Sequence, residues 1–356
     1  MKTRMVKLRR GNPCVAVLEN DTWVPLELLT EDVLADCSIP PQATESVIAF
    51  LSLDERQRTK LANRLTSVWP QAERLQSEIL HPMMPFQPLS YRDFMLYERH
   101  AIDAARGYAK RFHPVAYRLA RLYEVASHRP FPAFRPGMLW YAQPLYYMGN
   151  HLSFLPSGAV VPWPRYTQAL DYELELGVVL VRPLFNATPE EAEQAIGGFT
   201  VFNDFSARDV QLAEMRSGFG PCKAKHFANV ISDVVVTADA VMATVYSRKA
   251  WVRINGKAVV ETSTKGPRHD LASAIAYASR EERLHPGEFF GSGTLPGGCA
   301  LENGCWLEPG DTIECEIEGV GCTHNVVGHP AQGAAGPLRD WYGHCEWPRS
   351  SWGPRW

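Results

Sequence analysis

The sequence has eight cysteines, at positions 14, 37, 222, 299, 305, 315, 322 and 345, but no Cys-x-x-Cys pair. That absence excludes a zinc ribbon and a thioredoxin motif, and it predicts reduced thiols in a cytoplasmic protein. No run of about 18 apolar residues occurs, so no transmembrane helix is expected. The basic start, MKTRMVKLRRGNPCVAV, lacks the apolar stretch of a signal peptide. An excess of one charge is also missing. Thirty-six Lys+Arg against 39 Asp+Glu leave a net charge of -3, which argues against a partner such as nucleic acid or an anionic membrane. The glycine-rich stretch at 291–304, GSGTLPGGCALENG, has no Gly-Lys-Ser/Thr, so a phosphate loop is not supported. No βαβ rhythm repeats, which disfavours a doubly wound sheet or a TIM barrel.

What the 356 residues do contain is β-rich and globular. VAVLEN and DTWVPLELL read as two strands around an Asn-Asp turn, and 42–64 has apolar residues at helical spacing. The proline-punctuated HPMMPFQPLS at 81–90 reads as a linker, giving a small N-terminal domain over 1–85. From Ser90, YRDFMLYERHAIDAARGYAKRF has helical periodicity. Strands follow in LELGVVLV, GFTVFNDF, ISDVVVT and DTIECEIEGVG, and in WVRI/AVVET around Asn255-Gly256, the strongest hairpin signal in the chain. Segments 188–196 and 270–279 read as amphipathic helices. The fold class is therefore α+β, mainly β, with the main domain over 86–330. The tail over 331–356 holds four tryptophans and reads as an aromatic packing surface or a lid.

Chemistry is concentrated in the acids. In the run Asp171-Tyr172-Glu173-Leu174-Glu175-Leu176, a strand puts the three carboxylates on one face. Heading into a core, they would repel one another and lose hydration unless a divalent cation joined them; a solvated strand face is the other reading. NDFSARDVQ supplies Asp204, with Arg208, Gln211 and then Lys223 and Lys225 close behind. It reads as a polar cluster at a strand end or as a surface loop with ion pairs. Oxygen-only ligation selects a hard cation, Mg²⁺, Ca²⁺ or Mn²⁺, and leaves positions for water or a chelating oxo acid. Asp93 and His100, seven apart, share a helix face if that segment is continuously helical. Ser90-x-x-Asp93 equally suits a capping box, and His100 suits either a surface position or a general base. The glycine-rich stretch can turn backbone N–H groups toward a bound carboxylate or simply connect strands; Thr294 and Glu302 are its polar side chains.

These motifs, taken in order, resemble the fumarylacetoacetate hydrolase family. DYELELGVVL, GGFTVFNDFSARDVQ, GPCKAKHF and GSGTLPGGCALE with WLEPGDTIECEIEGVG carry the resemblance, together with YRDFMLYERHA and PLYYMGN, over roughly 82–328. The resemblance implies a mixed β-sandwich roll, with a small β-rich N-terminal domain, that forms a homodimer. It implies a divalent cation, Mg²⁺ first, held by Asp93, Glu173, Glu175 and Asp204. It further implies water activation by His100 with Glu302, Lys225 as a catalytic cation, and Tyr147, Arg208, Gln211 and Thr294 around a small oxo-acid or diketone substrate. The activity implied is hydrolysis of a C–C bond in an acylpyruvate-like 1,3-diketone acid, with decarboxylation of a 2-oxo acid or keto–enol and double-bond isomerisation as alternatives, and a non-catalytic scaffold as a third. His226 and Ile231-Ser232 depart from the family pattern beside Lys225, on the substrate side.

Overall fold

A computed structural model describes residues 1–8, 12–80 and 83–331. The tail from 332 onward, with its four tryptophans and Cys345, lies outside the described residues. Among them no helix is long and apolar enough to cross a membrane. The seven cysteines described, including Cys14, Cys299 and Cys315, are free thiols.

The fold mixes α and β around two packed sheets. Among the described residues the larger sheet has twelve strands. Its central pair is Leu174–Leu180 against Ile196–Asp204, antiparallel, with Glu175 opposite Phe202. Phe289–Gly291 lies on the other side of Leu174–Leu180, followed by Tyr91–Phe94 and Tyr146–Met148. The smaller sheet has five strands and contains the hairpin Lys249–Ile254/Lys257–Ser263. Asn255 and Gly256 both take positive φ there (51° and 74°), the geometry that a two-residue Asn-Gly hairpin turn requires. Val178, Leu180, Phe199 and Val201 from one sheet share a core with Val252, Ile313, Cys315 and Ile317 from the other. Every residue of both central strands is buried. An acid on either strand is therefore removed from water wherever its side chain points.

The N-terminal hairpin forms as its Asn-Asp turn predicts, Pro13–Glu19 against Thr22–Pro25. Its neighbour Lys2–Leu8 runs antiparallel to Val234–Thr237 and so extends the larger sheet. The stretch 42–64 is three helices, Gln42–Glu45, Val47–Leu51 and Glu55–Leu75, because Ser46 and Asp54 each cap a new N-terminus.

One expectation needs correction. The segment from Ser90 is not continuously helical: Tyr91–Phe94 is a strand, and the helix runs Glu98–Phe112. Asp93 pairs with Gly291 in parallel register, and the Ser90 hydroxyl donates to Glu288 Oε2 (2.9 Å) rather than capping a helix. The local sequence favours helix, but strand pairing with residues nearly 200 positions away prevails. Tyr91 anchors this strand in an aromatic cluster with Phe154, Phe202 and Phe289, ring centroids 5.3–6.0 Å apart. Each such pair contributes about 0.5–1.5 kcal/mol beyond area burial. A second helix, Pro114–Ser127, was not foreshadowed; it turns Glu124 inward and leaves Val115, Leu119 and Leu122 exposed.

Candidate metal centre and the histidine beside it

Four carboxylates from three strands meet in the larger sheet. Asp93 comes from Tyr91–Phe94, Glu175 from Leu174–Leu180 with Glu173 just before it, and Asp204 ends Ile196–Asp204. All four are buried, and one oxygen from each lies within 4.8 Å of the others. Asp171, predicted on the same face, does not join them. It sits in a separate two-residue strand paired with Ser206–Ala207, and strand pairing is interrupted at Tyr172 before Glu173. Its carboxylate accepts from Arg208 Nε (2.8 Å) and from the backbone N–H groups of Ala300 (2.7 Å) and Leu301 (3.2 Å).

Two buried cations face the cluster. The Lys225 ammonium donates to Glu173 and to Asp204 Oδ2 (2.6 Å). Arg208 donates to Glu173 Oε1 (2.6 Å) and to Gln211 Oε1 (2.8 Å). The Tyr147 hydroxyl donates to Asp204 Oδ2 (2.7 Å), and Thr294 Oγ1 lies 3.4 Å from Glu175 Oε1. Tyr147, Arg208 and Thr294, expected around the substrate, thus bond directly to the acids, and Gln211 bonds to Arg208. The glycine-rich stretch does present backbone N–H groups to carboxylates, but to the protein's own: Gly293 to Glu175 (3.0 Å) and Gly297 to Glu302 (2.7 Å).

Electrostatics divides the acids. Burial pushes Asp93 well above the usual carboxylate range, and Asp204 pushes it further. Burial does the same to Glu175, reinforced by Asp93 and Glu173. Burial also raises Asp204, although Lys225 opposes it. Glu173 is held low against its burial by Arg208 and Lys225. Asp93 and Glu175 are thus the acids whose charged form burial and their acidic neighbours disfavour most, while the Lys225 ammonium and the Arg208 guanidinium favour the charged form of Glu173.

The donor set fits a hard divalent cation. Asp93 Oδ1 is buried and has no hydrogen-bond partner, which leaves that oxygen available to a cation. Gly291 faces the same space: a Cβ there would clash with Asp93 Oδ1 and lie 2.7 Å from Glu175 Oε2. Glycine keeps the cradle open, and four carboxylates suit Mg²⁺, Ca²⁺ or Mn²⁺.

Beside the cluster, His100 in the first turn of Glu98–Phe112 pairs with Glu302 of the short helix Ala300–Asn303. His100 Nδ1 and Glu302 Oε1 are 2.6 Å apart, with both side chains buried. The two helices pack closely because position 107 is glycine; a Cβ there would clash with the Leu301 carbonyl. Cys299, which the sequence reading did not single out, forms a backbone bridge with Glu173, and its thiol lies 3.4 Å from Glu302 Oε1. Of the departures, His226 follows Lys225 in a turn closed on the Cys222 carbonyl, and Ile231 ends the strand Asn229–Ile231.

A family model for the fumarylacetoacetate (FAA) hydrolase C-terminal domain matches residues 124–328, more than half of the chain. The chain belongs to the fumarylacetoacetate hydrolase family. Among curated relatives it is 32% identical over 167 residues to the mitochondrial oxaloacetate tautomerase FAHD2A of Homo sapiens, which covers 46% of this chain and 52% of that protein. It is 31% identical over 182 residues to the fumarylacetoacetate hydrolase domain-containing protein 2 homolog of Dictyostelium discoideum, 48% of this chain and 59% of that one. The chain thus spans little more than half the length of these relatives. Among solved structures, the fold resembles a 5-carboxymethyl-2-hydroxymuconate delta-isomerase from Mycobacterium smegmatis, with TM-score 0.60, 16% identity, and coverage of 93% of this chain and 100% of that one. It also resembles a fumarylacetoacetate hydrolase from Exiguobacterium antarcticum, with TM-score 0.59, 19% identity, and 92% and 99% coverage.

Proposed function

We propose that this member of the fumarylacetoacetate hydrolase family hydrolyses a C–C bond in an acylpyruvate-like 1,3-diketone acid. The observation that carries the reading is the buried His100–Glu302 pair beside four carboxylates suited to a hard cation. Asp93, Glu173, Glu175 and Asp204 would hold that cation. When bound, it supplies Lewis-acid stabilisation of the negative charge that develops on the substrate oxygens.

The chain's own groups do the rest. Glu302 accepts the Nδ1 proton of His100, which fixes the tautomer with a lone pair on Nε2. Nε2 takes a proton from water as the oxygen attacks the acyl carbonyl, a role that contributes about 10²–10⁴-fold. The bond between the acyl carbon and the neighbouring CH₂ breaks, its electron pair passes into the enolate of the pyruvate fragment, and a proton returns to that carbon. Lys225 offsets the enolate's charge. Arg208, with Gln211 bonded to it, orients Glu173. Tyr147 and Thr294 fix the Asp204 and Glu175 carboxylates.

A second reading is favoured by the relatives named oxaloacetate tautomerases. In it, His100 moves a proton between carbon and oxygen of a 2-oxo acid without adding water. Proton NMR of a magnesium-loaded reaction on an acylpyruvate and on oxaloacetate separates the two. Two carboxylate-bearing fragments from the acylpyruvate support hydrolysis. An unchanged mass with accelerated keto–enol exchange refutes it in favour of tautomerisation.

A further inference from the structure

We propose that His100, Cys299 and Glu302 form a second, softer metal site, which takes Zn²⁺ or Cd²⁺ and switches off the base. One ligand atom from each residue lies within 4.8 Å of the other two. His100 Nδ1 and the Cys299 thiol both converge on Glu302 Oε1, at 2.6 Å and 3.4 Å. Cys299 is fully buried and His100 is 5% exposed. A nitrogen, a sulfur and a carboxylate oxygen select borderline-soft ions, whereas the all-oxygen cluster selects hard ones. The two sites adjoin through the Glu173–Cys299 bridge but share no ligand. Of the three residues, Glu302 also lines a cavity of about 840 Å³. Its wall carries both signs of charge, with Asp103 and Glu261 among Arg106, Lys110 and Arg111.

The consequence for catalysis follows from the tautomer, and that part rests on the hydrolase reading. A metal on Nδ1 displaces the proton that Glu302 normally accepts. The neutral imidazole then carries its proton on Nε2 and has no lone pair left for water. The Cys299 thiol proton is released to solvent as the sulfur binds.

The test uses the full chain saturated with Mg²⁺ and titrated with Cd²⁺. The wild type is expected to show a near-ultraviolet sulfur-to-cadmium band for one additional ion per chain. Cys299→Ser should lose this band, with affinity reduced at least about tenfold. A Cd²⁺-soaked crystal should show an anomalous peak between the three side chains, a result that needs no variant. Equal bands in wild type and variant, or no peak there, overturn the site. Inhibition of turnover that tracks the band supports the switch. Binding at the site without loss of turnover leaves the site standing and refutes His100 as the base.

Discussion

Replacing Glu302 by glutamine changes one oxygen to nitrogen, yet the structure leaves the amide no satisfactory orientation. Glu302 Oε1 serves His100 Nδ1 at 2.6 Å, and Oε2 accepts from the Gly297 backbone N–H at 2.7 Å. If the amide oxygen stays toward His100, its NH₂ confronts the Gly297 donor and leaves that group unpaired, at a cost of about 1–3 kcal/mol. If the amide is reversed, its NH₂ donates to Nδ1, and the ring must carry its proton on Nε2, the atom proposed to take a proton from water. Losing a positioned base costs about 10²–10⁴ in kcat, equivalent to roughly 2.7–5.5 kcal/mol. Glu302 lies outside the four-carboxylate cluster, so metal content should not change. The assay is kcat on an acylpyruvate across pH, with bound metal measured by mass spectrometry. A kcat within about threefold of wild type would refute the role given to this pair.

Three further outcomes follow from particular contacts. Gly291→Ala places a methyl between Asp93 and Glu175; Mg²⁺ affinity measured by calorimetry should fall at least about tenfold, and unchanged affinity would remove this cradle. Gly107→Ala forces the helix Glu98–Phe112 off Leu301, and denaturant melts should show a loss of about 1–3 kcal/mol, with wild-type stability contradicting the packing. Glu124 accepts from Arg106, Arg121 and the Phe131 N–H. Against its burial, these partners depress its carboxyl to about 2. The stability it adds is therefore complete above the unfolded value of about 4.3 and disappears as pH falls toward 2. Glu124→Gln should accordingly lower Tm near neutral pH but not at the acid end, and a pH-independent difference would count against the ion pairs.

The sequence made the acids legible because alternation in ELEL and the end of an apolar strand at Asp204 are local signals. The Asn255-Gly256 hairpin was legible for the same reason: its turn chemistry is contained in two residues. Asp93 was misplaced because its strand exists only by pairing with Phe289–Gly291, and helix-like spacing around it masked that partner. The departure of Asp171 from its neighbours was hidden as well. Alternation predicts one face, but the short strand breaks, and the carboxylate instead ties Arg208 to the start of the Glu302 helix. The helix Pro114–Ser127 does carry apolar residues at helical spacing, Val115, Leu119 and Leu122, but in the structure that stripe faces outward while Ala120 and Glu124 are buried, the opposite of what such spacing predicts. Cys299 gave no signal, since a lone buried cysteine looks like core until His100 and Glu302 are placed beside it.

The central claim is that Asp93, Glu173, Glu175 and Asp204 close around one hard cation. An anomalous difference map from a Mn²⁺-soaked crystal tests it most directly. One peak within about 2.0–2.4 Å of oxygens from at least three of the four carboxylates is the predicted result. Saturating Mn²⁺ with no peak there, and Lys225 alone bridging Glu173 and Asp204, would contradict it.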